Sequence, residues 1–428
     1  MTNVLLGLAL IIDITVGIVS VSKHKSYAPY TVFALFWSII LAFYFVGKNS
    51  WYEVDAYVAF IILFGNILFL IATYLTSASV SKVNREDYSK NDNGLDYIGV
   101  LILTILTLLW LSRGLVDRLG MLLRGMSFNE IYIYYRINGT DNGGSLLSTM
   151  LSILIARPFT YCSICILAYE LLKNGTKKKW VIITQIIILV MSIIQSGKRS
   201  MPIYFIFVIF IESIRLKKFA RSRAVLRKHK LIVAVLIAVV VIAVFWISGR
   251  RDTDVLKSAS VYLAGGIPSF SIRSGLIGTN YFGLGLLHGL LVPTVLMLHG
   301  IFKVPYPDWY LSLDSLVEAA DYIQIGSGQS INAFNTLYYT PFIDGGIVFV
   351  IIEMILIGSI YGVVYKRLQR NETVRYALIY QMLMIGIAGS MYTLYFTQYP
   401  YALAFFYILF LTRRKTVGFR IRIGGRKE

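Results

Sequence analysis

The feature that most constrains this chain is a succession of apolar stretches, each about 15–20 residues long and nearly free of charge. A helix needs about 20 such residues to cross the ~30 Å hydrocarbon core of a bilayer, where every backbone group must be bonded internally. Hydrophobic residues make up 57% of the chain and charged residues only 15%, so these stretches dominate it. The sequence therefore predicts an all-α polytopic membrane protein, with about eleven transmembrane helices in a single integral membrane domain over residues 1–428.

The predicted spans are residues 3–21, 30–47, 56–76, 97–112, 145–172, 180–195, 201–216, 231–248, 343–365, 375–393 and 398–412. Their orientation follows from the linker 217–230, which carries seven Lys and Arg residues and belongs in the cytoplasm. Alternation from that linker places the N-terminus outside and the basic tail 413–428 in the cytoplasm. The same rule accounts for much of the excess of 41 basic over 22 acidic residues, with no nucleic-acid partner implied.

Two segments are predicted to lie outside the cytoplasm, 113–144 and the large loop 249–342. Within the large loop, residues 283–301 are long enough to span, but Gly285, Gly289 and Pro293 interrupt them. Counting this stretch as a span would break the alternation downstream. We therefore expect a re-entrant or interfacial element there.

Lys198 and Arg199 form a pair of adjacent cations that alternation places outside, against the orientation rule. Because they sit in a Gly- and Ser-containing turn before a helix, they indicate an anion site suited to phosphate or pyrophosphate. A simple turn with snorkelling side chains is the alternative. Arg250, Arg251 and Arg273 could close around the same anion through bidentate contacts, or could serve as interfacial anchors.

Arg157 lies inside the fifth predicted span, next to Pro158. An unpaired cation at the centre of a bilayer costs about 2.5–3.5 kcal/mol or more, so Arg157 must face protein or a water-filled cavity. It could contact the substrate, or it could form a structural ion pair with Asp13 or Glu353, which also lie within spans.

Amide, hydroxyl and aromatic groups cluster in the run 330–346, which leads into the ninth span. Aromatic faces stack on sugar rings while amides and carboxylates meet hydroxyls, so the run indicates carbohydrate binding. The candidate groups are Asn332, Asn335, Tyr339 and Asp344. Asp344 has a competing role as a helix N-cap. His288 is a weaker candidate, because histidines in such positions are more often buried and hydrogen-bonded than catalytic.

The Ser-Gly-Lys-Arg-Ser turn at 196–200, the large external loop and the Asp344-Gly345-Gly346 sequence resemble those of Wzy-type polymerases of O-antigen and capsular repeat units. The family often has Phe-Gly after this aspartate, whereas this chain has two glycines. The resemblance implies a GT-C-like glycosyltransferase of the bacterial cytoplasmic membrane, acting at its outer face without metal or cofactor. It would polymerise oligosaccharide repeat units carried on undecaprenyl pyrophosphate, beside a flippase and a chain-length regulator.

Under that resemblance, fixed cations would stabilise the departing lipid pyrophosphate, with Arg199 first and Lys198, Arg250, Arg251 and Arg273 behind it. Asp344 or His288 would take the acceptor hydroxyl's proton or orient the hydroxyl. Two alternatives stay open. One is an O-antigen ligase-type transferase with the same donor; the other is a flippase or transporter, which predicts charges along a central cavity and paired broken helices.

Overall fold

The computed structural model describes residues 1–78, 94–126, 130, 134, 146–174, 178–196, 200–216, 255–276, 278 and 280–412. Within these ranges seven helices are long and apolar enough to cross a membrane. Most of the other described residues are helical too, apart from connecting segments and one short hairpin. The protein is therefore an all-α membrane protein, as the apolar stretches predict, while the number of crossings stays a prediction.

The helices are α1 (Thr2–Ser22), α2 (Pro29–Gly47), α3 (Ala56–Ala78), α4 (Tyr97–Leu123), α5 (Leu146–Met150), α6 (Arg157–Tyr169), α7 (Lys179–Ser196), α8 (Ser200–Arg215), α9 (Val255–Ala264), α10 (Gly266–Ser274), α11 (Leu284–Phe302), α12 (Asp308–Glu318), α13 (Tyr339–Arg370), α14 (Val374–Gly389) and α15 (Tyr399–Leu411). A π-helical segment, Leu151–Ala156, joins α5 to α6, and a second, Glu170–Asn174, extends α6. Strands β1 (Ile323–Gly326) and β2 (Gln329–Ile331) pair antiparallel.

Six of the seven long apolar helices coincide with predicted spans: α1, α2, α3, α4, the continuous helical stretch formed by α5 and α6, and α13. Four further predicted spans fall on the shorter helices α7, α8, α14 and α15. The seventh long helix is α11, which covers the predicted re-entrant or interfacial element. Its place in the membrane stays a prediction, and the predicted span 231–248 lies outside the described residues. Helix α4 continues to Leu123, so the first part of the predicted segment 113–144 is helix.

Hydrogen bonds near the helix ends show which ends of the bundle's helices lie together. At one end, called the loop end, Tyr52 N–H bonds Ile325 O (2.8 Å), Asp55 N–H bonds Ser271 Oγ (2.8 Å) and Asn335 N–H bonds Tyr392 O (2.8 Å). At the opposite end, Asp96 N–H bonds Leu411 O (2.8 Å), the Tyr97 hydroxyl bonds Glu170 (2.9 Å) and Arg215 pairs with Glu372 (3.1 Å). Asp96 and Glu372, from two of the predicted cytoplasmic connections, thus lie at this end. Which face of the membrane that end occupies stays a prediction.

Two glycines four residues apart let α13 lie close against α3. A Cβ at Gly358 would come within 2.8 Å of Phe69 O, and one at Gly362 within 2.6 Å of Thr73 O. Thr73 Oγ1 also donates to Gly358 O (3.0 Å) across this contact. Small residues at this spacing allow backbones to approach, which stabilises helix pairs in lipid.

Replacing Gly362 with Leu is expected to lower the thermal unfolding temperature of the purified protein, because overpacking a tight contact costs about 1–3 kcal/mol. A Cβ there would stand only 1.9 Å from Thr76 Oγ1. Gly120→Leu is the matched control, since no described residue lies within 4 Å of a Cβ at Gly120 in α4. Equal unfolding temperatures for the two variants would contradict the close contact of α3 with α13.

Candidate functional site

Two segments without α-helix run through the interior of the bundle at its loop end, and the second contains a short 3-10 helix, Tyr395–Thr397. Residues 332–338 lead from β2 to α13, and residues 390–398 separate α14 from α15. The segments bond to each other, through Asn335 N–H to Tyr392 O (2.8 Å) and Leu337 N–H to Ser390 O (2.9 Å). Non-helical backbone is tolerated at membrane depth only where protein surrounds it or it lines a cavity.

The lengths of the helices on either side of residues 390–398 predict that this region lies below the membrane surface. Helix α14 has 16 residues and α15 has 13. At 1.5 Å per residue they measure about 24 and 20 Å. Helices of these lengths that start at one boundary of a ~30 Å core end about 6–10 Å short of the other. We therefore expect segments 332–338 and 390–398 to form the bottom of a depression, called the recess floor.

His288 lies one turn into α11 and contacts the recess floor. Its Nδ1 is 3.1 Å from Thr397 O, and its Nε2 is 2.8 Å from Asp314 Oδ1 in α12. Both ring nitrogens thus face acceptors, and only the protonated imidazolium donates to both. The ring is 3% exposed, so a substrate cannot reach it directly.

Asp314 is the accessible member of this pair, because its side chain is 32% exposed. Tyr310 lies beside Asp314, one turn earlier in α12. Burial, followed by the charges of Asp314 and Glu318, raises the pKa of Tyr310 above its ordinary value. Tyr310 therefore stays protonated next to the carboxyl group. His288 thus holds one partly exposed carboxylate close to the recess floor.

Asp344 holds the start of α11. Its Oδ1 accepts from Gly285 N–H (2.7 Å) and its Oδ2 from Leu286 N–H (2.9 Å), and the residue is fully buried. Helix α13 breaks directly after Asp344, at Gly345 and Gly346, where the φ of Gly346 is 62°. The capping role that the sequence left open is thus present, but for α11 rather than for the helix that contains Asp344. Asp344 positions His288 through α11.

Asp344→Ala is expected to destabilise the protein by about 0.5–2 kcal/mol, since it removes the cap from two backbone N–H groups. Asp308→Ala is the control, as Asp308 is exposed in the first turn of α12 and makes no side-chain bond to α11 among the described residues. Thermal unfolding measures the effect. An Asp344→Ala protein as stable as the Asp308→Ala protein would contradict the capping role.

Arg157 lies beside the recess floor, at the junction of the π-helical segment with α6. Its Nη1 donates to the hydroxyl of Tyr399 (2.6 Å), the first residue of α15, and its guanidinium lies 6.0 Å from the ring of Trp110. The expected ion-pair partners are engaged elsewhere. Asp13 accepts from Asn66, and Glu353 lies against Asp344. Arg157 therefore faces protein, as expected of a cation in a span, but close to the recess rather than in either expected pair.

The ends of α7 and α8 flank the same recess. The hydroxyl of Tyr204 bonds that of Tyr395 in the floor, and Ser200 bonds Tyr204. On the other side, Arg118 of α4 donates to Ile194 O near the end of α7 (2.9 Å). The predicted anion-binding residues Lys198 and Arg199 lie outside the described residues, between these two helix ends.

Arg273 is bonded to protein carbonyls. Its Nη2 donates to Ala319 O (3.0 Å) and Asp321 O (2.6 Å), which ties α10 to the segment between α12 and β1. Arg250 and Arg251, its expected partners around an anion, lie outside the described residues. The shared anion contact of these three arginines stays a prediction.

The amide and aromatic groups expected to meet carbohydrate are packed into the protein. Asn335 is 2% exposed and accepts from Ser269 Oγ (2.8 Å). Tyr339 is buried against Phe270, with 5.9 Å between ring centroids. Asn332 is half-buried and donates to Ala320 O (3.2 Å). Because segment 332–338 descends into the bundle, these groups face its interior rather than the solvent.

A row of rings lies instead along the contact of α11 with α12, with His288 and Tyr310 buried and the others partly or fully exposed. His299 stacks on Tyr306 at 4.2 Å, Tyr306 lies 6.2 Å from Tyr310, and Tyr310 lies 6.4 Å from His288. Tyr306 is half-buried and Trp309, beside Tyr310, is 45% exposed. Sequence reasoning missed Asp314 and these rings. The available signal was the Tyr- and Trp-rich run before Asp314 in a short helix directly after α11.

No protein-family model, no curated protein and no solved structure matches the chain. The site must therefore be interpreted from its own geometry. That geometry is a recess at one end of a membrane-helix bundle, edged by an oriented carboxylate and half-exposed aromatic rings.

Proposed function

We propose that the protein is a membrane glycosyltransferase that polymerises oligosaccharide repeat units carried on undecaprenyl pyrophosphate, at the outer face of a bacterial cytoplasmic membrane. The observation that carries the proposal is Asp314, a partly exposed carboxylate held by His288 close to the recess floor. In the proposal, a sugar hydroxyl reaches this carboxylate from water and a lipid carrier reaches the recess from the bilayer.

In the proposed reaction, a hydroxyl of the acceptor glycan gives its proton to Asp314 as its oxygen bonds the anomeric carbon of the donor glycan. The bond from that carbon to the carrier's pyrophosphate breaks, and the electron pair leaves with the pyrophosphate. The proposal assigns charge stabilisation of this leaving group to Lys198 and Arg199, since both precede α8, whose first turn contacts the recess floor.

The remaining groups hold the reactants in place. Asp344 fixes α11 and thereby His288, which keeps the Asp314 carboxylate oriented. The proposal assigns the glycan to Tyr306 and Trp309, because aromatic faces stack on the C–H faces of sugar rings. Arg157 and Tyr399 form part of the recess near the expected position of the pyrophosphate.

Transport is the main competing function, and the cavity beneath the floor gives it no support. Helix breaks do occur at Gly345 and at 390–398, as a transporter would have. However, the cavity beneath the floor is lined by apolar, aromatic and hydroxyl side chains, with no charged residue among its described lining. A pyrophosphate crossing the bundle would need cations along that route.

The test supplies the purified protein with lipid-linked repeat units and no nucleotide sugar. Polymerisation predicts a ladder of longer lipid-linked glycans. A ligase-type transferase would instead move the glycan onto a different added acceptor, leaving repeat units unextended. Movement of repeat units across sealed vesicles without any chain growth would overturn the proposal in favour of transport.

A further inference from the structure

Asp13 is a carboxyl group in the interior of the bundle, half-way along α1. The residue is fully buried. Its Oδ2 accepts from Asn66 Nδ2 of α3 (2.7 Å), while its Oδ1 has no hydrogen-bond partner. In the described part of the chain no Lys, Arg or His forms an ion pair with it.

A short polar chain leads from Asp13 to the recess floor. Asn66 Oδ1 accepts from the hydroxyl of Tyr338, the last residue of segment 332–338. The Tyr338 ring packs against Trp37, with 5.2 Å between centroids, and Trp37 Nε1 donates to Ser390 Oγ (3.0 Å), at the start of segment 390–398. Both floor segments are therefore tied to α1 and α3 through this network.

The Tyr338 ring fills a space that only glycine leaves open. A Cβ at Gly65 would lie 2.4 Å from the ring, next to Asn66 in the same turn of α3. Leu337, next to Tyr338, and Ser390, which accepts from Trp37, line the cavity beneath the floor. The position of the floor thus depends on the Tyr338 hydroxyl keeping its partner.

An ionised carboxylate at this depth would need a cation or several donors to offset its desolvation, whereas a neutral acid needs far less. We propose that Asp13 is a proton-binding site, held as an uncharged carboxylic acid, which positions the recess floor through Asn66 and Tyr338. Tyr338 is the other titratable group in this network. Loss of the proton would leave a negative charge on Asp13 with Asn66 as its one hydrogen-bond donor. Asn66 would have to turn away from Tyr338 to donate a second hydrogen bond to the carboxylate.

Infrared spectroscopy of the full-length protein, in a detergent without ester groups, tests the protonation directly. The C=O stretch of a carboxylic acid lies above the amide band. Asp13→Asn is expected to remove one such band, and Asn66→Leu to shift it upward because the carbonyl loses its donor. Identical spectra in this region for wild type and both variants would overturn the proposal, whether or not the protein polymerises glycans.

The positioning role rests on the proposed function and is tested by chain growth. Asp13→Asn keeps an uncharged acceptor of the same shape and is expected to retain the wild-type rate within roughly threefold. Asp13→Leu and Tyr338→Phe should each slow growth by roughly tenfold or more, since small misplacements in a site are costly. Equal loss in Asp13→Asn and Asp13→Leu would show that a charge is required and overturn the proposal. Absence of growth in wild type would contradict the proposed function instead, and the infrared result would still decide the state of Asp13.

Discussion

Replacing Asp314 with Asn is expected to slow glycan chain growth by about 10²–10⁴-fold, the usual contribution of a positioned acid or base. The amide keeps the shape of the carboxylate but cannot take the acceptor's proton. His288 Nε2 would still have an oxygen to contact, so the fold of the α11–α12 contact should survive. The rate is measured with purified protein and lipid-linked repeat units.

Asp308→Asn is the control for this experiment, because Asp308 is an exposed carboxylate on the same helix with no contact to His288. It should leave the rate unchanged. Thermal unfolding checks that Asp314→Asn is folded. A folded Asp314→Asn protein that elongates glycans at the wild-type rate would remove Asp314 from the mechanism.

Replacing Arg199 with Ala is expected to lower the rate by about 10²–10³-fold, the size of effect seen when a fixed donor to a developing anion is lost. Arg199 is proposed to bind the departing pyrophosphate and to stabilise its negative charge. Arg199→Lys should recover part of the rate, since it keeps the charge but not the bidentate geometry. The same chain-growth assay measures all three proteins.

Arg221→Ala provides the comparison for Arg199, because Arg221 lies in the basic linker predicted to face the cytoplasm. It should elongate glycans like the wild type. If Arg199→Ala and Arg221→Ala behaved alike, the pyrophosphate contact would have to be reassigned to another cation.

The helical scaffold could be predicted because lipid leaves few choices to an apolar segment. A stretch such as 56–76 must bond its own backbone, and the structure has α3 there, at Ala56–Ala78. Boundaries shifted where a helix extends past its apolar part, as α4 does to Leu123. The length of α11 could be predicted from the apolar stretch 283–301. Whether α11 crosses the membrane depends on the elements packed around it, which the composition of that stretch does not specify.

The site was harder to predict because its contacts join distant parts of the chain. Asp344 was expected to cap a helix, yet the helix it caps begins some 60 residues earlier, at Leu284. His288 meets Asp314 across 26 residues, a pairing that no local pattern indicates. Tyr339 was a candidate for carbohydrate binding, but it is buried, because segment 332–338 leads into the bundle directly before it.

The most direct test of the central proposal compares lipid pyrophosphate released with glycosidic bonds formed, using purified protein and lipid-linked repeat units alone. Polymerisation predicts one undecaprenyl pyrophosphate released for each bond, with both quantities falling together in Asp314→Asn. Repeat units that remain single, with no lipid pyrophosphate released by the wild-type protein, would contradict glycosyl transfer between them.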